Sequence, residues 1–172
     1  GNIGRSVAKK ANGFNLNVLY YDILRESEEK EKELGIKYSD FEELLKKSDF
    51  ITINSAYVPA LKHMIDEKEF LLMKNTAYLI NCARGPIVNE KALIKALKTN
   101  EIEGAALDVY EFEPKIGDEL KHMKNVVLTP HIGNATVETR EQMALCAARN
   151  IIQVLKGEKP ESPINAYKKK SL

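Results

Sequence analysis

The 172 residues carry 44% hydrophobic and 30% charged side chains, the balance of a chain that builds one hydrophobic core of ordinary domain size. A formal net charge of +1 excludes a global field that would draw nucleic acid or an anionic membrane, and the run Lys168-Lys169-Lys170 is too short and too terminal to supply one. No apolar run approaches membrane-spanning length, no signal peptide is visible, and two cysteines build no disulfide framework, so the expectation is a cytoplasmic protein with Cys82 and Cys146 reduced in its core.

In chain order, the spacing of Ile3, Val7, Ala8 and Ala11 predicts a helix that begins almost at Gly1. Gly1 and Gly4 at a helix start have the form of the second half of a G-x-G-x-x-G phosphate loop. Half a motif is weak evidence alone, and the next segment strengthens it. Val18-Leu19-Tyr20-Tyr21 reads as an apolar strand ending in Asp22, where dinucleotide folds carry an acidic residue for the ribose hydroxyls. A carboxylate there repels a 2′-phosphate, so the pattern favours NAD over NADP. The plainer alternative is a turn-forming Asp.

Residues 26–34 are charged and read as helix, Ile36-Lys37-Tyr38 as a short strand, and Ser39-Asp40-Phe41-Glu42 as a capping box opening a helix through Lys47. Asp49 to Asn54 reads as a buried strand before the loop from Ser55 to Leu61. Asp66 caps a short helix ending near Met73, Ala77 to Asn81 is a strand, and Cys82-Ala83-Arg84-Gly85-Pro86 is the loop after it. A helix from Asn89 or Glu90 to Leu97 and strands at Gly104 to Leu107 and Val126 to Leu128 follow. A long amphipathic helix runs from Thr136 towards Leu155 with Met143, Ala147, Ile151 and Val154 on one side, and Pro160 and Pro163 mark an irregular tail. Strands alternating with helices at this spacing predict an α/β fold, a doubly wound parallel sheet of Rossmann type. Residues 1–157 form the expected dinucleotide-binding domain and residues 158–172 the tail.

Ligands of such sheets collect at the carboxyl ends of the strands. Asp22, Asn54, Arg84, Asp108, Glu113 and His131 all follow predicted strand ends, so distant chain positions are expected to meet on one rim. Glu113 precedes Pro114 and His131 follows Pro130, which stiffens both loops. A Glu and a His held this way make a candidate acid–base pair: the carboxylate keeps the imidazolium charged and fixes its tautomer, and the imidazole moves a proton near neutral pH. A purely structural contact is the plainer alternative. Arg84 sits between Ala83 and Gly85 after a buried strand, an unusual place for a solvating arginine. Its guanidinium fork suits the carboxylate of a small 2-oxo or 2-hydroxy acid and can polarise the adjacent carbonyl. His63, flanked by Lys62 and Met64, is read as structural, and His122 as solvent-facing.

Three stretches carry a resemblance: Asn-Cys-Ala-Arg-Gly-Pro-Ile-Val-Asn-Glu-Lys-Ala-Leu from Asn81, Gly-Ala-Ala-Leu-Asp-Val-Tyr-Glu-Phe-Glu-Pro from Gly104, and Val-Val-Leu-Thr-Pro-His-Ile-Gly-Asn-Ala-Thr from Val126. Together they resemble the D-isomer-specific 2-hydroxyacid dehydrogenases, in the glyoxylate/hydroxypyruvate reductase and phosphoglycerate dehydrogenase branch, over about residues 1–157. The resemblance implies that Arg84 binds the substrate carboxylate and carbonyl, that His131 is the acid/base and that Glu113 is its partner. It implies that Asp108 bonds the nicotinamide carboxamide of NAD, and that Gly1, Asn2, Ile3, Gly4 and Asp22 hold pyrophosphate and ribose. Asn54, Cys82, Ala83 and Gly133 complete the expected cofactor contacts. Homodimers are implied as well, with the helix after the His motif crossing towards a second domain. No metal is expected.

The chain departs from the family pattern in three places. Asn54-Ser55-Ala56 stands where the family usually reads His-Val-Pro, and Leu61 where a Thr is common. The family's substrate domain and the strand before the first glycine are not seen in this chain, so the expectation is a fragment of a longer enzyme, inactive alone. Unpaired ladder groups are expected between the second and fourth strands of the family's sheet. The competing reading is a non-catalytic NAD-sensing or protein-binding module, disfavoured by the joint presence of Arg84, Glu113 and His131. A phosphite- or formate-like substrate is disfavoured by the same three residues.

Overall fold

The computed structural model describes residues 1–163. The chain forms two units, Gly1–Pro130 and His131–Leu172. The first contains, in order, α1 (Asn2–Gly13), β1 (Val18–Tyr20), α2 (Glu28–Leu34), β2 (Ile36–Tyr38), α3 (Phe41–Lys47), β3 (Phe50–Ile53), α4 (Glu67–Leu72), β4 (Tyr78–Asn81), α5 (Glu90–Lys98), β5 (Gly104–Leu107), α6 (Asp118–His122) and β6 (Val126–Leu128). Single 3₁₀ turns at Pro59–Leu61 and Gly85–Ile87, and the one-turn-scale α6, are too short to leave a periodic signature.

Every ladder is parallel, because each strand is followed by a crossover segment before the next. This is the α/β, Rossmann-type arrangement expected, with one break. β1 pairs with β2, and β3-β4-β5-β6 form a separate four-stranded sheet. The break falls between β1 and β3, the place anticipated for unpaired ladder groups. Within the larger sheet, Ile53, Asn81, Leu107 and Leu128 lie in one row of register. The carboxyl ends of its four strands are therefore level, and the residues that follow emerge along one line.

The core belongs to the four-stranded sheet. Ile51, Ile53, Leu79 and Leu107 from its strands pack with Leu45 of α3, Phe70 of α4, Leu93 and Leu97 of α5 and Leu120 of α6. Removal of these apolar side chains from water drives the folding of this half. Among α1, β1, α2 and β2 only Ala8 is buried.

Three expectations need correction. Ser39 makes no capping box: Asp40 is the N-cap of α3 without a side-chain cap bond, and the Ser39 hydroxyl donates to the Asp40 carbonyl instead. The capping box forms one helix later, where the Asp66 carboxylate accepts from Glu67 N at 2.8 Å and Glu69 Oε2 accepts from Asp66 N at 3.1 Å. β3 is buried on one face only: Ile51 and Ile53 point inward while Phe50 is 61% exposed. Neither cysteine is a core residue, although both are free thiols; Cys82 is exposed and Cys146 half-buried. In the alternation after β4, Asn81, Ala83 and Gly85 turn inward and Cys82 and Arg84 outward.

In the second unit, α7 (Val137–Leu155) starts at Thr136, whose hydroxyl accepts from Thr139 N at 3.2 Å. No residue of α7 is buried, and Met143, Ile151 and Val154 are all exposed. The segment after the helix folds back on it: Asn150 donates to Ser162 Oγ at 2.9 Å and accepts from Ser162 N at 3.1 Å. No helix among the described residues is long and apolar enough to cross a membrane. The Lys168-Lys169-Lys170 run lies outside the described residues.

Candidate functional site

The level ends of β3, β4 and β5 place Asn54, the Arg84 loop and Asp108 along one line. At the end of β1, Asp22 is exposed, with its Oδ1 accepting from Leu24 N at 3.2 Å and its Oδ2 lying 4.0 Å from the nitrogen of Gly1. Gly1 is the N-cap of α1, and Asn2, Ile3 and Gly4 form its first turn. No side chain caps the orphan N–H groups there, so the helix dipole and free donors face the neighbourhood of Asp22. The uncapped start of α1 and the Asp22 carboxylate thus lie side by side.

A salt-bridged cluster lies below this corner. Arg25 presents its fork to Glu31, with Nε 2.9 Å from Oε1 and Nη2 3.2 Å from Oε2, and stacks over the Tyr38 ring at 5.2 Å. The Tyr20 hydroxyl donates to Glu31 at 2.8 Å and accepts from Glu26 N at 2.9 Å. Arg25 and the Tyr20 hydroxyl hold the Glu31 carboxyl below the usual carboxylate range. The cation nearest in sequence to Asp22 is therefore already engaged.

Asn54 follows β3 and touches α1: its Cβ lies 3.6 Å from where a Cβ on Gly4 would stand. Asn81, the last residue of β4 and fully buried, organises the next loop. Its Oδ1 accepts from Ala83 N at 3.0 Å and its Nδ2 donates to the Arg84 carbonyl at 3.1 Å. This fixes Cys82, Ala83 and Arg84 as a tight turn beyond the sheet. Arg84 is exposed, and its Nη1 donates to the Ala83 carbonyl at 2.6 Å.

Asp108, 5% exposed, continues the row. Its N–H donates to the Asn81 carbonyl at 3.0 Å, and its Oδ1 accepts from the Thr129 hydroxyl at 2.6 Å. Partial desolvation and the Asp108 charge push the Cys82 thiol up from its ordinary value. The Tyr110 hydroxyl donates to the Thr129 carbonyl at 2.8 Å, which ties the end of β5 to the end of β6. Glu113 turns back on the same loop, its Oε1 accepting from Tyr110 N at 3.0 Å. The Arg84 and Glu113 loops meet where Gly85 lies against the Tyr110 backbone.

Arg84, Asp108 and Glu113 are thus brought together through Asn81, Gly85 and Tyr110, while Asp22 lies beside Gly1 and Asn54 against Gly4. His131 and Gly133 open the second unit. His131 follows Pro130 with φ 54°, a left-handed conformation costly for a residue with a Cβ, and the Ala135 N–H closes a turn on the Ile132 carbonyl at 3.0 Å.

Sequence reasoning missed two side chains in the first unit. One is Asn81, and the other is Glu111, whose Oε1 lies 2.7 Å from Nε2 of His63. Asn81 and Glu111 both stand inside the motif stretches quoted above, and that position was the one signal available for them. His122 is exposed, as expected.

Residues 1–133 match the D-isomer specific 2-hydroxyacid dehydrogenase, NAD binding domain. A Staphylococcus aureus (strain MRSA252) protein named for a 2-hydroxyacid dehydrogenase is 58% identical over 165 residues, which cover 96% of this chain and 52% of the relative. Among solved structures, the holo form of Rhodotorula graminis D-mandelate dehydrogenase aligns with TM-score 0.92 and 37% identity, over 99% of this chain and 50% of that one. A glyoxylate reductase from Paecilomyes thermophila aligns with TM-score 0.85 and 39% identity, over 92% of this chain and 48% of that one. The chain spans about half the length of the relatives it matches.

Proposed function

Because the chain belongs to the D-isomer specific 2-hydroxyacid dehydrogenases and matches their NAD-binding domain, we propose that the protein carrying it transfers hydride between NAD(H) and a small 2-oxo or 2-hydroxy acid of glyoxylate or hydroxypyruvate size, with D stereospecificity. The observation that carries this reading is the junction at Gly85, which sets an exposed guanidinium and a backbone-tethered carboxylate on adjoining loops beyond level strand ends. Such a pair suits an anionic substrate with a carbonyl to polarise.

The nicotinamide, when bound, supplies the hydride donor or acceptor. The protein's own groups then have separate tasks. Gly1, Asn2, Ile3 and Gly4 receive the pyrophosphate at the start of α1, and Asp22 bonds the ribose hydroxyls. Asp108 orients the carboxamide, with Asn54, Cys82, Ala83 and Gly133 completing the cofactor contacts. Arg84 takes the substrate carboxylate and draws electron density from the carbonyl. His131 delivers the proton the forming alkoxide needs, and removes it in the reverse direction. Glu113 supplies the negative charge that supports an imidazolium. The exposed apolar residues Val137, Ile151 and Leu155 of α7 support a homodimer, and the two free thiols support a cytoplasmic setting. Spanning about half its relatives' length, the 172-residue chain alone is expected to show no turnover.

The test is NADH oxidation by a full-length dehydrogenase containing this chain, across a panel of 2-oxo acids. Reduction of at least one, with a strongly raised KM in Arg84→Lys, is the expected result. No turnover with any 2-oxo acid, at intact NADH binding, would leave the NAD-sensing module as the better reading.

A further inference from the structure

Two residues outside the proposed catalytic set converge on the segment that follows Arg84. Glu111 stands two positions before Glu113, and its carboxylate is spent on two contacts. Oε1 meets His63 Nε2 at 2.7 Å, and because a carboxylate only accepts, that nitrogen carries the hydrogen. Oε2 accepts from Glu90 N at 3.0 Å, at the start of α5. The Glu111 side chain is 8% exposed and that of His63 29%. His63 reaches the same segment by its backbone, its N–H donating to the Pro86 carbonyl at 2.9 Å. Ile65 N–H to the Ile87 carbonyl and Asn89 N–H to the Ile65 carbonyl extend this seam. The backbone nitrogen of Glu111 also lies 2.5 Å from where a Cβ on Gly85 would stand. His63 holds φ 54°, so the contact is kept at a conformational cost.

A nearly buried carboxylate is costly unless each oxygen is satisfied, and here both are satisfied by groups that hold the segment following Arg84. We propose that Glu111, held by His63, is a positioning residue: it sets the spacing between the Arg84 loop and the Glu113 loop, and through it the fit of the 2-oxo acid. The proposal rests on the dehydrogenase reading above.

The experiment compares Glu111→Ala, Glu111→Gln and His63→Ala in the full-length dehydrogenase, with Arg84→Ala as reference. Displacing a binding loop by about an ångström can cost ~10²-fold in rate. Glu111→Ala is therefore expected to lower kcat/KM for the oxo acid by up to about that factor, mainly through KM, with the Kd for NADH unchanged. His63→Ala should give a smaller change in the same direction. Glu111→Gln should recover most of the activity, since its carbonyl still accepts from Glu90 N–H and its amide can donate to His63 Nε2 in the other tautomer. Wild-type kcat/KM in Glu111→Ala below its melting temperature, or equal losses in the Ala and Gln variants, would overturn the proposal. If Arg84→Ala costs nothing, the dehydrogenase reading fails instead, and amide exchange in the 172-residue chain decides the clamp by itself. Exchange at Glu90 at least about tenfold faster in His63→Ala and Glu111→Ala supports it, and unchanged exchange overturns it.

Discussion

Gly85 and Tyr110 touch backbone to backbone. A Cβ on Gly85 would stand 1.9 Å from the Tyr110 carbonyl oxygen and 2.0 Å from its carbonyl carbon, a gap no side-chain adjustment can open. The two loops that carry Arg84 and Glu113 approach most closely at this residue. Gly85→Ala is therefore expected to destabilise the chain by about 3 kcal/mol or more, at or beyond the upper end of overpacking costs. Urea unfolding of the variant checks it, and a loss under about 1 kcal/mol would mean the loops separate easily.

Asp22 and Arg25 together predict cofactor preference. Wild type should prefer NADH, because the Asp22 carboxylate repels a 2′-phosphate and Glu31 keeps Arg25 occupied. Asp22→Ser should narrow the preference by roughly tenfold, the equivalent of ~1.4 kcal/mol. Adding Glu31→Ala frees the Arg25 fork and should narrow it further, and adding Arg25→Ala should cancel that second gain. Fluorescence titration with NADH and NADPH reads all four. A double variant no better with NADPH than Asp22→Ser would separate Arg25 from the cofactor.

His131 and Glu113 should both be read out kinetically in the full-length dehydrogenase. On the proposed role of His131 as proton donor, His131→Ala should lower kcat by ~10²–10⁴-fold while NADH still binds. On the proposed roles, Glu113→Gln withdraws a charge and keeps the shape, so kcat should fall while the Kd for NADH is unchanged. Melting curves on the same variants test the plainer alternative. A lowered melting temperature with an unchanged kcat would assign Glu113 to loop stability alone.

Glu90 makes a pH prediction. It is buried, and desolvation, opposed by bonds from the Glu111 and Gly117 N–H groups and reinforced by the Glu111 charge, pushes its carboxyl up. A carboxyl raised in the folded state favours the protonated form there. Its contribution to stability is full below the unfolded pKa and is lost as pH rises through the folded one. Carbon-detected NMR titration of the Glu90 carboxyl should give a midpoint above that of exposed glutamates such as Glu43, which the Lys47 ammonium holds low. A Glu90 midpoint at or below that of Glu43 would contradict the burial.

The order of helices and strands was legible in the sequence because its signals are short-ranged. The spacing of Ile3, Val7 and Ala11, the apolar runs at Val18 and Tyr78, and the cap at Asp66 act within a turn or a strand, and the folded chain places α1, β1, β4 and α4 there. The strand ends were legible for the same reason: each is a local event, so the segments after β3, β4 and β5, with Asn54, Arg84 and Asp108, were marked one at a time. What the tertiary structure decided is which of these events touch. The level row of Ile53, Asn81, Leu107 and Leu128 depends on register across four strands. The outward turn of Cys82, the partial exposure of β3 and the break between β1 and β3 depend on what packs beside each strand. His63 meets Glu111, 48 positions away, only because the loops beyond β3 and β5 are folded over the same end of α5. No local pattern encodes that meeting. Contacts between distant segments are selected by the burial of the whole core, while caps and periodicities are selected within a few residues, and a single sequence displays only the second kind directly.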